Sequence, residues 1–158
     1  MERKMIIQTK LFGEIEVDES KIITFEQGLI GLEHLNRFLL IYDSVKEEKS
    51  SITWLQSLEE PAFALPVMNP LAIMSEYDPV VEDELLKSIG SLEPENLILM
   101  TALTVPSDLT KMTANLKAPI IIHSESKKGC QLIVENEEYV VRQPIYEILK
   151  SLEEGAGE

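Results

Sequence analysis

Short apolar segments that alternate with polar residues, each closed off by a turn, limit this chain to a β-rich fold. Glu14-Ile15-Glu16-Val17-Asp18 shows the pattern most clearly: Ile15 and Val17 face one way and the acids the other. Further strands are predicted at Ile6–Thr9, Ile22–Phe25, Phe38–Tyr42, Ile52–Ser57, Ala62–Val67, Leu97–Val105 and Ile120–Ile122. Gln131–Val134 and Tyr139–Val141 are expected to pair as a hairpin across Glu135–Glu138, and Ser44–Ser51 to form an exposed hairpin loop. Pro66 cannot donate to a ladder, which marks its strand as an edge or a bulge. Helical spacing is confined to Glu82–Ile89, stopped by Gly90, and to Pro144–Leu152, where Ile145, Ile148, Leu149 and Leu152 share a face. The expected fold is therefore mainly β: a small antiparallel β-barrel-like domain with two or three short helices. Residues 1–152 form a single domain in this reading, and 153–158 a flexible acidic tail.

Charge narrows the partners. Fourteen Lys and Arg oppose 28 Asp and Glu, a formal net charge of −14. Such a surface repels phosphate backbones and anionic headgroups, so neither direct nucleic-acid binding nor membrane binding is expected, and basic proteins become the natural partners. The longest near-apolar run, Leu97 to Val105, is about half the length a membrane-spanning helix needs. With no apolar leader at the N-terminus and Cys130 as the single cysteine, a reducing, cytoplasmic setting is expected. The absence of a heptad seam and the repulsive surface predict a monomer.

Catalytic constellations are not legible. His34 and His123 stand far apart without metal-ligand spacing, so no metal or other cofactor is expected. Cys130 has Lys127 and Lys128 nearby but no evident base, and is not read as a nucleophile. The carboxylate pairs Asp18-Glu19, Glu47-Glu48, Glu59-Glu60, Glu82-Asp83-Glu84 and Glu137-Glu138 are read as solvated surface, because neighbours on a strand point to opposite faces. Gly28-Leu29-Ile30-Gly31 has the spacing of an RNA-clamping Gly-x-x-Gly loop, yet it sits between Glu26 and Glu33, where a phosphate would be repelled; it is read as a turn. What remains is a group of polar residues interrupting apolar strands: Gln56, Asn69, Asn115 and Lys117, with Leu55, Leu116 and Pro119 beside them. They either satisfy loop backbone or present a rigid docking surface.

These interruptions carry a resemblance. Phe25-Glu26-Gln27-Gly28-Leu29-Ile30-Gly31-Leu32-Glu33 resembles the Phe-x-x-Gly-Ile-x-Gly-Phe-Glu segment of the flagellar assembly factor FliW family, with Leu32 where Phe is usual. Leu55-Gln56-Ser57, Asn69-Pro70, Thr113–Ile120, and Gly129-Cys130-Gln131-Leu132 with Tyr139 and Arg142 follow in the family's order across roughly Ile7 to Arg142; His123 stands where Asn is expected. The resemblance implies a non-enzymatic regulator with two protein partners. One is flagellin, bound in the cytoplasm. The other is the translational repressor CsrA, which is bound and antagonised once flagellin is exported, so that flagellin mRNA is translated. In the family, binding away from the RNA site is the usual picture. The matching positions Leu55, Gln56, Asn69, Asn115, Leu116, Lys117 and Pro119 are expected to contribute to partner binding, with Glu82, Glu84, Glu137 and Glu138 as an acidic docking rim. The alternatives are an acidic nucleic-acid mimic filling the RNA-binding groove of a basic protein and, less favoured, a small enzyme.

Overall fold

A computed structural model describes residues 4–10, 12–42, 52–81, 83–90 and 93–156. The Ser44–Ser51 loop and Glu82 lie outside these. The alternation at Glu14–Asp18 becomes β2 (Gly13–Asp18), paired antiparallel with β1 (Lys4–Thr9) so that Val17 opposes Met5 and Ile15 opposes Ile7. Thr9 stabilises the turn by donating from Oγ1 to the Gly13 carbonyl at 2.9 Å and accepting from the Phe12 amide. This hairpin leans on the main sheet through the Phe12 ring, edge-on to Trp54 at 6.0 Å.

The main sheet is built from β3 (Ile23–Thr24), β4 (Arg37–Tyr42), β5 (Ile52–Ser57), β6 (Ala64–Met68), β7 (Leu97–Thr104), β8 (Thr113–Ala114), β9 (Ile120–His123), β10 (Gly129–Gln131) and β11 (Gln143–Pro144). Neighbouring strands run antiparallel in the order β10-β9-β7-β6-β5-β4-β3; β8 also pairs with β7, and β11 with β8. β8 and β9 take successive stretches of one side of β7, against Leu103–Thr104 and Leu97–Met100 respectively. The interruption between them is the Asn115–Pro119 segment.

The sheet is not closed into a barrel, which corrects the barrel-like expectation. Its edges, β3 and β10, meet through one parallel bridge, Thr24 to Lys128, with the Thr24 amide donating to the Lys127 carbonyl at 2.8 Å. Pro66 is also placed differently. β6 is internal rather than an edge, but its ladder with β7 begins only at Val67, so Pro66 sits where that side of the strand is unpaired. The expected hairpin of Gln131–Val134 with Tyr139–Val141 does not form. Both stretches are held instead by the interrupting segment: Val134 donates to the Lys117 carbonyl at 2.9 Å, and Leu116 donates to the Val140 carbonyl at 3.0 Å.

Among the described residues the helices reduce to one of any length, α2 (Tyr146–Ala156), which runs past residue 152 into the expected tail. α1 (Asp83–Leu86) is a single turn that tightens into a 3₁₀ turn, Lys87–Ile89, before Gly90 ends it. The core follows from the alternation. Phe25, Phe38, Leu55, Val67, Ile120 and Ile122 come together from both ends of the sheet order, while Ile145 on the approach to α2 closes a second cluster with Met68, Met112 and Ala114.

Candidate functional site

Three of the sequence segments singled out above converge beside β10. The first is the loop after β3. Phe25 donates to the Asn36 carbonyl at 2.7 Å, the Gly28 amide returns to the Phe25 carbonyl, and Leu29 and Leu32 exchange backbone hydrogen bonds. Gly28 has φ +68°, and a Cβ there would lie 2.6 Å from the Glu33 Cα, so only glycine lets the loop fold this tightly on itself. The second segment is β10. Gly129 lies flat against the Phe25 ring, where a Cβ would come within 2.6 Å of Cζ. The third is Asn115–Pro119, an Asx turn in which Asn115 Oδ1 accepts from the Lys117 and Ala118 amides at 3.1 and 3.0 Å.

Gln131 joins all three. Its Oε1 accepts from the Ile30 amide at 2.9 Å and its Nε2 donates to the Ala118 carbonyl at 3.0 Å. The result is a groove of about 300 Å³ between the Gly28 loop and β10, reached also by α1. Its floor is apolar: Leu29 and Ile89 are buried and Leu132 half-buried. Among the described residues its rim carries Glu26, Glu33 and Glu84 against Lys128, which pairs with Glu26 at 3.0 Å. Glu33 Oε2 accepts from the Gly31 amide at 2.6 Å, and Glu84 pairs with Lys87 at 3.1 Å.

Chemically the groove is suited to binding rather than to catalysis. Burial pushes the Cys130 thiol in its wall up to about 11, so the thiolate is scarce at neutral pH. No group of three metal-ligating side chains is present among the described residues. His123 is buried, with Nδ1 accepting from the Glu125 and Ser126 amides; His34 is exposed elsewhere.

The residues expected to bind partners divide sharply. Leu55, Gln56 and Leu116 are completely buried and Pro119 is buried, so their side chains have no surface to offer a partner. Gln56 is a fastener: Nε2 donates to the carbonyls of Ser57, Pro61 and Phe63 at 3.0–3.1 Å. Replacing Gln56 with Ala should cost about 2 kcal/mol in urea unfolding, because the loop carbonyls lose a buried donor. Asn115 and Lys117 are half-buried and likewise turned inward, Lys117 Nζ donating to the Asn136 carbonyl at 2.9 Å. Asn69 is exposed but caps the 3₁₀ turn at Pro70, accepting from the Leu71 amide. Of the acids, Glu84, Glu137 and Glu138 are exposed. Only Glu84 reaches the groove.

Glu26, Glu33, Lys128 and Gln131 lie outside the set of residues expected to bind partners. The signal for two of them was present in the acids flanking the Gly-x-x-Gly loop: the charges that exclude a phosphate are those that rim the groove.

The FliW protein family profile matches residues 5–145 of this chain. The flagellar assembly factor FliW of Lachnospira eligens is 57% identical over 150 residues, 94% of this chain and 99% of that protein. The Thermotoga sp. (strain RQ2) protein of the same description is 43% identical over 144 residues, 90% and 94% of the two chains. A crystal structure of the flagellar assembly factor FliW superposes with a TM-score of 0.81 at 29% identity, covering 89% of this chain and 96% of that one. The match runs across the sheet, the Gly28 loop, the Asx turn and β10, and the chain belongs to the FliW family, a family of flagellar assembly factors and not of enzymes.

Proposed function

We propose that the chain binds flagellin in the cytoplasm and, when flagellin has been exported, binds and antagonises the translational repressor CsrA, so that flagellin mRNA is translated. Membership of the FliW family is the observation that carries this reading. Two features support it. A formal net charge of −14 suits an RNA-binding, basic partner. The groove offers a binding surface without a reactive group.

Charge sets the mechanism. An acidic chain approaches a basic repressor under electrostatic steering, and once docked beside the RNA path its field disfavours phosphate within a Debye length of about 8 Å at physiological salt. The test is stopped-flow association of the purified chain with CsrA, alongside capture of flagellin from a defined mixture. Raising salt from 50 to about 500 mM should slow association with CsrA roughly tenfold. Charge reversal at the exposed Glu137 and Glu138 should slow it at low salt. Association insensitive to both refutes the electrostatic mechanism and leaves shape alone to carry the antagonism; no capture of either protein refutes the reading. The alternative, an acidic nucleic-acid mimic lying in the RNA-binding groove itself, requires that RNA and this chain exclude one another from CsrA. Noncompetitive loss of RNA is the outcome expected here.

A further inference from the structure

The groove beside β10 combines an apolar floor with a rim of excess negative charge, and this pairing selects a ligand. We propose that it takes an extended basic segment of a partner protein, seating one apolar side chain on Ile30 and Leu132, above the buried Leu29 and Ile89, while flanking lysines or arginines meet Glu26, Glu33 and Glu84. The inference rests on the reading that the chain acts by binding proteins, and it names the chemistry of one such contact.

The dimensions fit. About 300 Å³ holds one large aliphatic or aromatic side chain with its adjoining backbone, and it lies at the bottom of the range for small-molecule pockets. The walls are fixed before anything binds. Gly28 and Gly129 leave no slack between the loop, the Glu33 backbone and the Phe25 ring, and Gln131 ties the Ile30 amide to the Ala118 carbonyl. A preformed slot loses little ordering entropy on binding. Ile30, at the mouth, is exposed at 50% and extends the apolar strip outward.

Charge then chooses among occupants. Among the described residues three carboxylates line the groove against Lys128, with Lys87 paired to Glu84 beside it, which leaves a small local excess of acid. The three are held apart by different contacts, Glu26 by Lys128, Glu33 by the Gly31 amide and Glu84 by Lys87, so they ring the slot instead of converging on a cation. Glu26 and Glu84 can exchange their own lysines for those of a ligand. Nucleic acid is repelled. A neutral apolar ligand would fill the floor without using the rim.

The test uses the full chain and two labelled octapeptides, one alternating lysine with leucine and the other alternating glutamate with leucine. Anisotropy titration reads affinity, and amide chemical shifts locate the site. The lysine peptide should bind, with shifts centred on residues 28–30 and 129–132. The double reversal Glu26→Lys with Glu84→Lys should weaken binding about tenfold, whereas Glu147→Lys, an exposed acid of α2 away from the groove, should change it less than about twofold. Equal binding of both peptides, equal weakening by Glu147→Lys, or shifts elsewhere would each overturn the inference. Capture of flagellin or CsrA by a chain whose groove ignores the lysine peptide overturns it too, while leaving the proposed function standing. Groove binding with neither protein captured does the reverse.

Discussion

Replacing Phe25 with Ala should lower the unfolding free energy by about 3–5 kcal/mol, the range for deleting a fully enclosed phenyl ring. Phe25 has no exposed surface, stands edge-on to Phe38 with ring centroids 5.3 Å apart, and forms the plate against which Gly129 lies. Gly129→Ala alone should cost about 1–3 kcal/mol, because the new methyl would overlap the Phe25 ring at Cζ and Cε2 and the ring is boxed in by other core side chains. Paired with Phe25→Leu, which removes the ring edge, the same alanine should cost at least about 1 kcal/mol less. A double-mutant cycle in urea reads the coupling directly. Strict additivity would mean that β10 does not rest on Phe25.

Gly28→Ala should be nearly as damaging, at about 3 kcal/mol, from two sources that add. At φ +68° an L side chain is strained by about 1–2 kcal/mol. Its Cβ would also fall 2.6–2.7 Å from the Cα, C and O of Glu33, which are backbone atoms and cannot rotate aside. Gly31 separates the two effects. Its φ is +85° but a Cβ would meet nothing within 4 Å, so Gly31→Ala should show the conformational cost alone, about 1 kcal/mol. Comparable losses at the two positions in thermal or urea unfolding would refute the packing half of the argument.

The contrast between these glycines bears on what a reader of the sequence can obtain. Alternation located β2, and short apolar runs bounded by turn residues located β4, β5, β7 and β9 closely, because burial on one face or on both is written into consecutive residues. Whether the sheet closes is a different kind of fact. It depends on what β3 and β10 present to each other, which no local pattern encodes, and here they share one bridge. The same distinction explains the site. Gln56, Asn115 and Lys117 are conspicuous as polar residues among apolar ones, yet they are conspicuous because loop backbone folded into the protein needs donors and acceptors. The groove, by contrast, is walled by residues roughly a hundred positions apart that look unremarkable singly. Glu84, expected at a docking rim for its charge, does reach the groove; Glu137 and Glu138, expected there on the same ground, do not line it. Tyr77 shows the limit from another side. Its hydroxyl donates to the Leu116 carbonyl at 2.7 Å and burial raises its ionisation well above that of a free tyrosine, but nothing around Tyr77 in the sequence announces a contact with Leu116.

The single bridge between Thr24 and Lys128 has a kinetic meaning. Every other pairing of β3, β4, β5 and β6 joins strands that are consecutive in the chain, so that half of the sheet can zip up locally. The bridge must gather two points about a hundred residues apart, and it recovers only one ladder position for that loss of chain freedom. It should therefore form last on the way to the native state. The molecule has a seam that closes late and is then pinned, by the Phe25 ring against Gly129 and by the Ile30–Gln131 hydrogen bond that crosses it.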